Sequence, residues 1–223
     1  MGGGTTEAGL LCLREGDPDI NDLLGGRFDT VTDLLNKYIE EIERFNPLYK
    51  LVGAKDREEL VVKHILDSLA GLGVIRRLLD ETSGGVDGQA DGGVDGPAAS
   101  PAPPLVADVG SGAGLPGIPL AITLPNCGFT LIERGGRRAG FLRNTLAVLG
   151  LPNAEAEAVD MEKAGEGRFD LVTFRAFRPL EPALLKSLFR LLRPGGALAA
   201  YKGRRDTLET ELEGLGGPER PGA

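Results

Sequence analysis

Residues 108–119 read DVGSGAGLPGIP, and this stretch decides the fold. An apolar run, Leu105-Val106-Ala107-Asp108-Val109, leads into it and reads as a buried strand. Gly110, Gly112 and Gly114 then place three glycines within five residues. Backbone of that composition turns sharply and lies against a ligand with no side chain between them. A short helix follows, ended by Pro125. A strand, a glycine turn and a helix in this order form a cradle of the kind that holds nucleotides.

The frame of the glycines decides which ligand fits. Gly112-x-Gly114-x-x-Gly117 formally matches the dinucleotide fingerprint, but that pattern alone is weak. A fingerprint starting at the strand end would need glycine at position 115, which is Leu115. The frame that does fit the strand end is Asp108-x-Gly110-x-Gly112-x-Gly114, an acid inside the strand followed by alternating glycines. It resembles the first motif of S-adenosylmethionine-dependent methyltransferases. The next strand, 129–133, ends in Glu133. An acid about 20 residues beyond the glycines suits a carboxylate that accepts both ribose hydroxyl protons.

Bulk properties bound the rest. The 223 residues are 41% hydrophobic and 26% charged, which suits one domain with a substantial core. No apolar run approaches a membrane span, and the N-terminal MGGGTTEAGLLCLREGD lacks the basic start and apolar centre of a signal peptide. Cys12 and Cys127 show neither metal nor redox spacing, so a reducing cytoplasm is expected and no metal is. The net charge of -8 runs against general nucleic-acid affinity, so RNA binding would require a local basic patch.

Along the chain, residues 1–27 are Gly-rich and read as a poorly ordered N-terminus. A helix is expected over 31–45, capped by Thr30 with Asp33 three residues on, and stopped by Asn46-Pro47. Val31, Leu34, Tyr38, Ile42 and Phe45 form its apolar stripe. A second helix starts at Asp56 with Glu59 in the capping-box position, and with the preceding one makes an N-terminal helical cap over 28–82. Residues 83–104, SGGVDGQADGGVDGPAASPAPP, are a low-complexity insertion too poor in apolar groups to offset its ordering entropy. The core, 105–205, alternates strands at 105–109, 129–133, 154–159, 169–174 and 197–201 with helices at 137–149 and 182–192. The last helix precedes the turn Arg193-Pro194-Gly195-Gly196. Such alternation predicts an α/β fold with a parallel, doubly wound sheet. The ligand then lies across the carboxyl ends of strands one, two and four, where Asp108, Gly110, Glu133, Asp160 and Arg175 fall. Residues 206–223 read as an irregular tail.

Five motifs in order now carry a specific resemblance. Val62-Lys63-His64-Ile65-Leu66-Asp67-Ser68-Leu69, Asp108 to Pro119, Gly136-Arg137-Arg138 with Phe141-Leu142-Arg143, Arg175-Ala176-Phe177, and Tyr201-Lys202-Gly203 are similar to those of one family. These are the bacterial small-subunit ribosomal RNA guanine-N7 methyltransferases, also called the glucose-inhibited division protein B family. The match runs from about Phe45 to Lys202. It implies a Rossmann-like methyltransferase fold, S-adenosylmethionine as cofactor, and methylation of N7 of one guanine in the decoding-region loop of 16S ribosomal RNA. The substrate is a small ribosomal subunit or its precursor, and the enzyme is expected to be a cytoplasmic monomer.

On this resemblance Asp108, Gly110, Ser111, Gly112, Gly114, Leu115, Glu133, Asp160, Met161 and Arg175 are cofactor-binding candidates. Arg175, Lys202, His64 and Asp67 are candidates for the reaction centre, with Ser68 able to add a hydrogen bond. Arg137, Arg138, Arg143, Lys202 and Arg204 would bind RNA, with Arg134 and Arg205 adding charge. Guanine N7 has a free lone pair and no proton to lose. No general base is required, and proximity and orientation supply most of the acceleration. The chain departs from the family in reading Val159-Asp160-Met161-Glu162 where an Arg often precedes an acidic pair. It also lacks a credible pair of strands after Arg205, so the last strands of the family's sheet are expected to be missing. Two other readings stay open: a nicotinamide-dependent oxidoreductase, and an RNA-binding relic without activity.

Overall fold

The glycine stretch emerges at the carboxyl end of the middle strand of a parallel sheet. The computed structural model describes residues 7–10, 24–84, 102–175, 179–203 and 209–211. Five strands lie side by side in the order β3-β2-β1-β4-β5. They are β1 (Leu105–Val109), β2 (Gly128–Ile132), β3 (Ala154–Glu157), β4 (Phe169–Arg175) and β5 (Leu192–Tyr201). All four pairings are parallel, with Ala107 beside Thr130 on one side and Val172 on the other. The order reverses between β1 and β4, the switch point at which a doubly wound sheet opens a crevice.

Alternation along the strands supplies two faces. Val106, Phe129, Leu131 and Leu171 turn to one side. They are covered by the N-terminal helices together with α5 (Gly117–Thr123) and α6 (Gly136–Leu149). The N-terminal helices are α1 (Phe28–Tyr49), α2 (Arg57–Leu60), a π-helical stretch Val61–Leu66, α3 (Asp67–Ala70) and α4 (Leu72–Gly84). Ala107, Val109, Ile132, Val172 and Phe174 turn to the other side, under α7 (Pro182–Leu191) and the turn Met161–Lys163. The expected parallel α/β architecture with a helical cap is therefore present.

Several boundaries differ from expectation, each for a local reason. The first helix is longer at both ends. Thr30 lies exposed within it rather than capping it, and Arg27 is the N-cap residue without a side-chain bond. The Arg27 guanidinium instead donates to the carbonyls of Thr123 and Ile122 at the end of α5, 3.2 and 2.9 Å away. Pro47 does not stop the helix, because the bond it deletes would fall on the exposed residue Glu43. Asn46 closes the end instead, its amide exchanging two hydrogen bonds with the backbone of Val52 at 3.1 and 3.0 Å. The capping box at Asp56 forms with a shift. Asp56 accepts from the Glu59 N–H at 2.8 Å, while Glu59 accepts from Lys55, one residue before the expected partner.

The third strand ends at Glu157 and the fourth reaches Arg175. The expected turn at 193–196 is a bulge inside β5: Phe169 pairs with Leu192 and Leu171 with Ala197. Buried Asp170 draws it in, binding Arg193 at 2.9 Å and accepting the Leu105 N–H at 2.7 Å. Within the N-terminal stretch expected to be poorly ordered, residues 7–10 are helical and Leu10 and Leu24 are fully packed into the core. Residues 209–211 likewise form a helical turn within the expected irregular tail. The low-complexity reading of 85–101, the site residue Arg204, its neighbour Arg205, and Ala176-Phe177 lie outside the described residues.

Two glycines give a paired test of this packing. A Cβ on Gly117 would stand 2.4 Å from Leu131 Cδ2 and 2.6 Å from Asp108 Oδ2, whereas one on Gly140, in the exposed face of α6, would meet nothing within 4 Å. Gly117→Ala is expected to destabilise by about 1–3 kcal/mol. Gly140→Ala is expected to stabilise by about 0.5–1 kcal/mol. Urea unfolding midpoints of the two variants check both signs.

Candidate active site

The glycine loop is held from below by a buried carboxylate. Asp108, in β1, is fully buried and accepts from the Ser111 hydroxyl at 2.6 Å and the Gly117 N–H at 3.1 Å through one oxygen, Oδ2. Its other oxygen has no partner among the described residues. Burial pushes its pKa up to about 6, against the lowering effect of those two hydrogen bonds. Above the strand, Gly110, Gly112 and Gly114 take φ of 70°, 58° and 96°, a region open to glycine and closed to most other residues. Gly110 and Ser111 both direct their N–H groups at the Ile132 carbonyl, 2.9 and 3.1 Å away, which ties the loop to β2.

The end of β2 completes the first recess. Glu133 is buried, and its two oxygens take the N–H groups of Gly112 at 3.0 Å and Gly135 at 2.7 Å. Each oxygen keeps a lone pair for a further donor. Val109, Gly110, Ile132, Glu133, Asp160 and Met161 line a cleft of about 360 Å³ here, with Arg134 and Arg138 on its wall. Asp160 accepts from the Glu162 N–H at 3.4 Å and so starts the turn that carries Met161 into the cleft.

Of the residues expected at the cofactor, the structure brings Gly110, Glu133, Asp160 and Met161 together in this cleft. Asp108, Ser111, Gly114 and Leu115 are buried behind it and shape the loop, while Gly112 is half-buried above Glu133.

Arg175 stands at the end of β4 in a second recess of about 370 Å³, with Lys63, His64, Asp67, Tyr201, Lys202 and Gly203. His64 and Asp67 do not pair directly; Arg175 joins them. Its guanidinium lies 3.6 Å from Asp67 Oδ2 and 3.2 Å from His64 Nδ1, with a further bond to the His64 carbonyl at 3.4 Å. Guanidinium only donates, so His64 Nδ1 is the acceptor and the ring proton sits on Nε2. Burial first, then the Arg175 charge, lowers the His64 pKa and keeps the ring neutral at pH 7. Ser68 donates to the His64 carbonyl at 2.6 Å, and Tyr201 donates to the Ser68 carbonyl at 2.9 Å, so β5 is fastened to the helix that carries His64. The π-helical turn of that helix, which the sequence does not announce, contains His64.

A third recess, of about 350 Å³, adjoins the first. Arg134, Arg137 and Arg138 line it together with Leu48 and Tyr49 from the end of α1. These three arginines are exposed and have no ion pair among the described residues. Arg143 is placed otherwise: its Nε donates to the Ala156 carbonyl at 3.2 Å and ties α6 to β3. Lys202 forms a 2.7 Å ion pair with Glu211. Tyr38 was legible only as a core residue, yet its hydroxyl donates to the Ala113 carbonyl at 2.8 Å and steadies the loop. The signal for it was chemical, since a phenol buried in a helix stripe requires a partner.

The raised Asp108 pKa fixes a sign. The native state holds this proton at higher pH than the unfolded chain, so the group's stabilisation is complete below 3.8 and is lost as pH rises through about 6. The stability of the native sequence minus that of Asp108→Asn should therefore fall by roughly 2–3 kcal/mol between about pH 4 and about pH 7. Urea titrations across that range measure it, and a pH-independent difference would sink the assignment.

Comparison with known proteins matches the sequence to a lineage. The model of the family described as rRNA small subunit methyltransferase G matches residues 98–214. The protein named ribosomal RNA small subunit methyltransferase G from Treponema denticola is 38% identical over 190 residues, covering 82% of this chain and 75% of its own. That of Leptothrix cholodnii is 32% identical over 201 residues, 87% of this chain and 83% of its own. That of Halorhodospira halophila is 37% identical over 181 residues, 81% and 73% respectively. With glycine loop, acid and arginine in sheet order and relatives aligned over most of its length, this chain belongs to the rRNA small subunit methyltransferase G family.

Proposed function

We propose that the chain transfers the methyl group of S-adenosylmethionine to N7 of one guanine in the decoding-region loop of 16S ribosomal RNA. It would act on the small ribosomal subunit or its precursor. The observation that carries this reading is the pair of recesses on the carboxyl edge of one sheet. One, over β1, β2 and β3, is built on the Glu133 carboxylate; the other, over β4 and β5, is built on Arg175. They flank the β1–β4 switch point.

The first recess fits the cofactor. Glu133 retains acceptor capacity on both oxygens, at the depth where ribose hydroxyls would donate. Gly110 presents bare backbone at φ 70°, where the methionine end would lie. Asp160 and Met161 border the adenine edge. Asp108, Ser111, Gly112, Gly114 and Leu115 keep the loop in this shape. Bound S-adenosylmethionine supplies an electrophilic methyl group on sulfur.

The chain's residues have to align a base, since N7 carries no proton for them to remove. Arg175 presents fixed donors to a phosphate or to the cofactor carboxylate. Neutral His64 holds Arg175 through Nδ1 and leaves an Nε2–H donor. Asp67 places a carboxylate in the chamber where the base becomes cationic on methylation. Arg134, Arg137 and Arg138, unpaired among the described residues, offer the local positive surface that a chain of charge -8 needs for RNA.

Methyl transfer from labelled S-adenosylmethionine to small subunits lacking the modification tests the reading, with the modified base mapped. Label at N7 of the decoding-loop guanine is expected; label on another atom overturns the site, and no label with cofactor bound overturns the enzyme. Glu133→Gln removes one charge-assisted acceptor and should weaken cofactor binding about 10- to 100-fold in calorimetry. Unchanged affinity would falsify the ribose assignment.

A further inference from the structure

The cations of the second recess are each answered by a carboxylate. Lys63 is bound by Glu59, one helical turn before it, and Arg175 by Asp67. Lys202 differs from both in where its partner comes from. Its carboxylate, Glu211, belongs to the helical turn at 209–211, outside the sheet and outside the helices that frame the recess.

The contact is well built. A single oxygen, Glu211 Oε2, lies 2.7 Å from Lys202 Nζ and takes the Leu180 N–H at 3.0 Å. The Lys202 and Glu211 side chains are only 9% and 14% exposed. One oxygen between an ammonium and a backbone N–H is the geometry in which a non-bridging phosphate oxygen is also bound. The same ammonium lines the recess that holds Arg175 and His64. A largely shielded lysine that gives up this carboxylate loses a charge-assisted contact, so a ligand that displaces Glu211 has to offer an anion in its place. RNA brings one with every nucleotide.

We propose that Lys202 Nζ and the Leu180 N–H form a binding site for a backbone phosphate of the substrate RNA, which Glu211 fills when RNA is absent. The inference rests on the reading of the chain as acting on RNA. Glu211 then sets a threshold: an RNA that seats a phosphate at this point keeps Lys202 neutralised, and one that merely approaches the arginine surface does not displace the carboxylate. The device adds discrimination to a recess whose other cations stay paired.

The test uses the full chain, its Glu211→Gln, Lys202→Met and double variants, and small ribosomal subunits lacking the modification. Glu211→Gln keeps the side-chain shape and removes the competing charge. It should bind subunits about tenfold more tightly, the scale of one charge-assisted contact. The slope of log affinity against log salt should steepen by about 0.7–0.9, as for one added phosphate contact. Both gains should vanish in the Lys202→Met background, while S-adenosylmethionine affinity stays unchanged by Glu211→Gln. Glu211→Asp, one methylene short of reaching both donors, is the second variant should the first unfold, with the same direction expected. Unchanged or weaker subunit binding by a folded Glu211 variant overturns the phosphate site, as does a gain that survives Lys202→Met. Failure of the unaltered chain to bind subunits at all would instead remove the RNA reading itself.

Discussion

The carboxylate of Asp108 is the constraint on which the site depends. It sits in the middle strand, out of reach of water, and spends its bonds on the Ser111 hydroxyl and the Gly117 N–H. Those two contacts bring the loop after β1 back over its own strand and set the start of α5. They also explain why position 117 lacks a side chain, since a Cβ would occupy the space of the Asp108 oxygen. The cost of burying this acid appears in its raised pKa. The return is a glycine loop whose N–H groups point at fixed places: two at Ile132 and one at Glu133.

The N-terminal helices act on the same loop from outside. Tyr38 in α1 donates to Ala113 and Arg27 caps the end of α5. Glu41 accepts from Asn144 of α6 at 3.0 Å. The cap is thus bonded to three successive parts of the cradle: the loop, the helix after it and the helix after β2. A helix end braced by a guanidinium keeps its last carbonyls satisfied without water. The same helices carry His64 and Asp67 to Arg175, so one lobe both supports the glycine loop and supplies one wall of the chamber beside it.

Charge is partitioned along the carboxyl edge of the sheet. The carboxylates of Glu133 and Asp160 line the first recess with Arg134 and Arg138 on its wall, the chamber of β4 and β5 holds cations in pairs, and Arg134, Arg137 and Arg138 stand exposed. In a protein of net charge -8, these three arginines form a local positive surface among the described residues. No helix among the described residues is long and apolar enough to cross a membrane.

Much of this was legible in the chain itself. Strand-period and helix-period alternation, the glycines at 110, 112 and 114, and an acid at the end of the second strand dictate a parallel sheet with a cradle at its carboxyl edge. Each is a local property, set by backbone sterics and by which residues bury favourably. The ends of elements escaped where a distant group decided them: Arg27 left its own helix end to cap α5, and Asp170 pulled Arg193 into a bulge. Partnership escaped for the same reason. His64 and Asp67, three residues apart, look like a pair, but Arg175 from β4 comes between them, and Glu211 reaches back to Lys202 across nine positions. Local sequence determines which segments form strands and helices and which residues can carry charge or turn. Which charge meets which is decided only when β4, β5 and the helical cap converge, because an ion pair depends on separation in space and chain order alone does not set it.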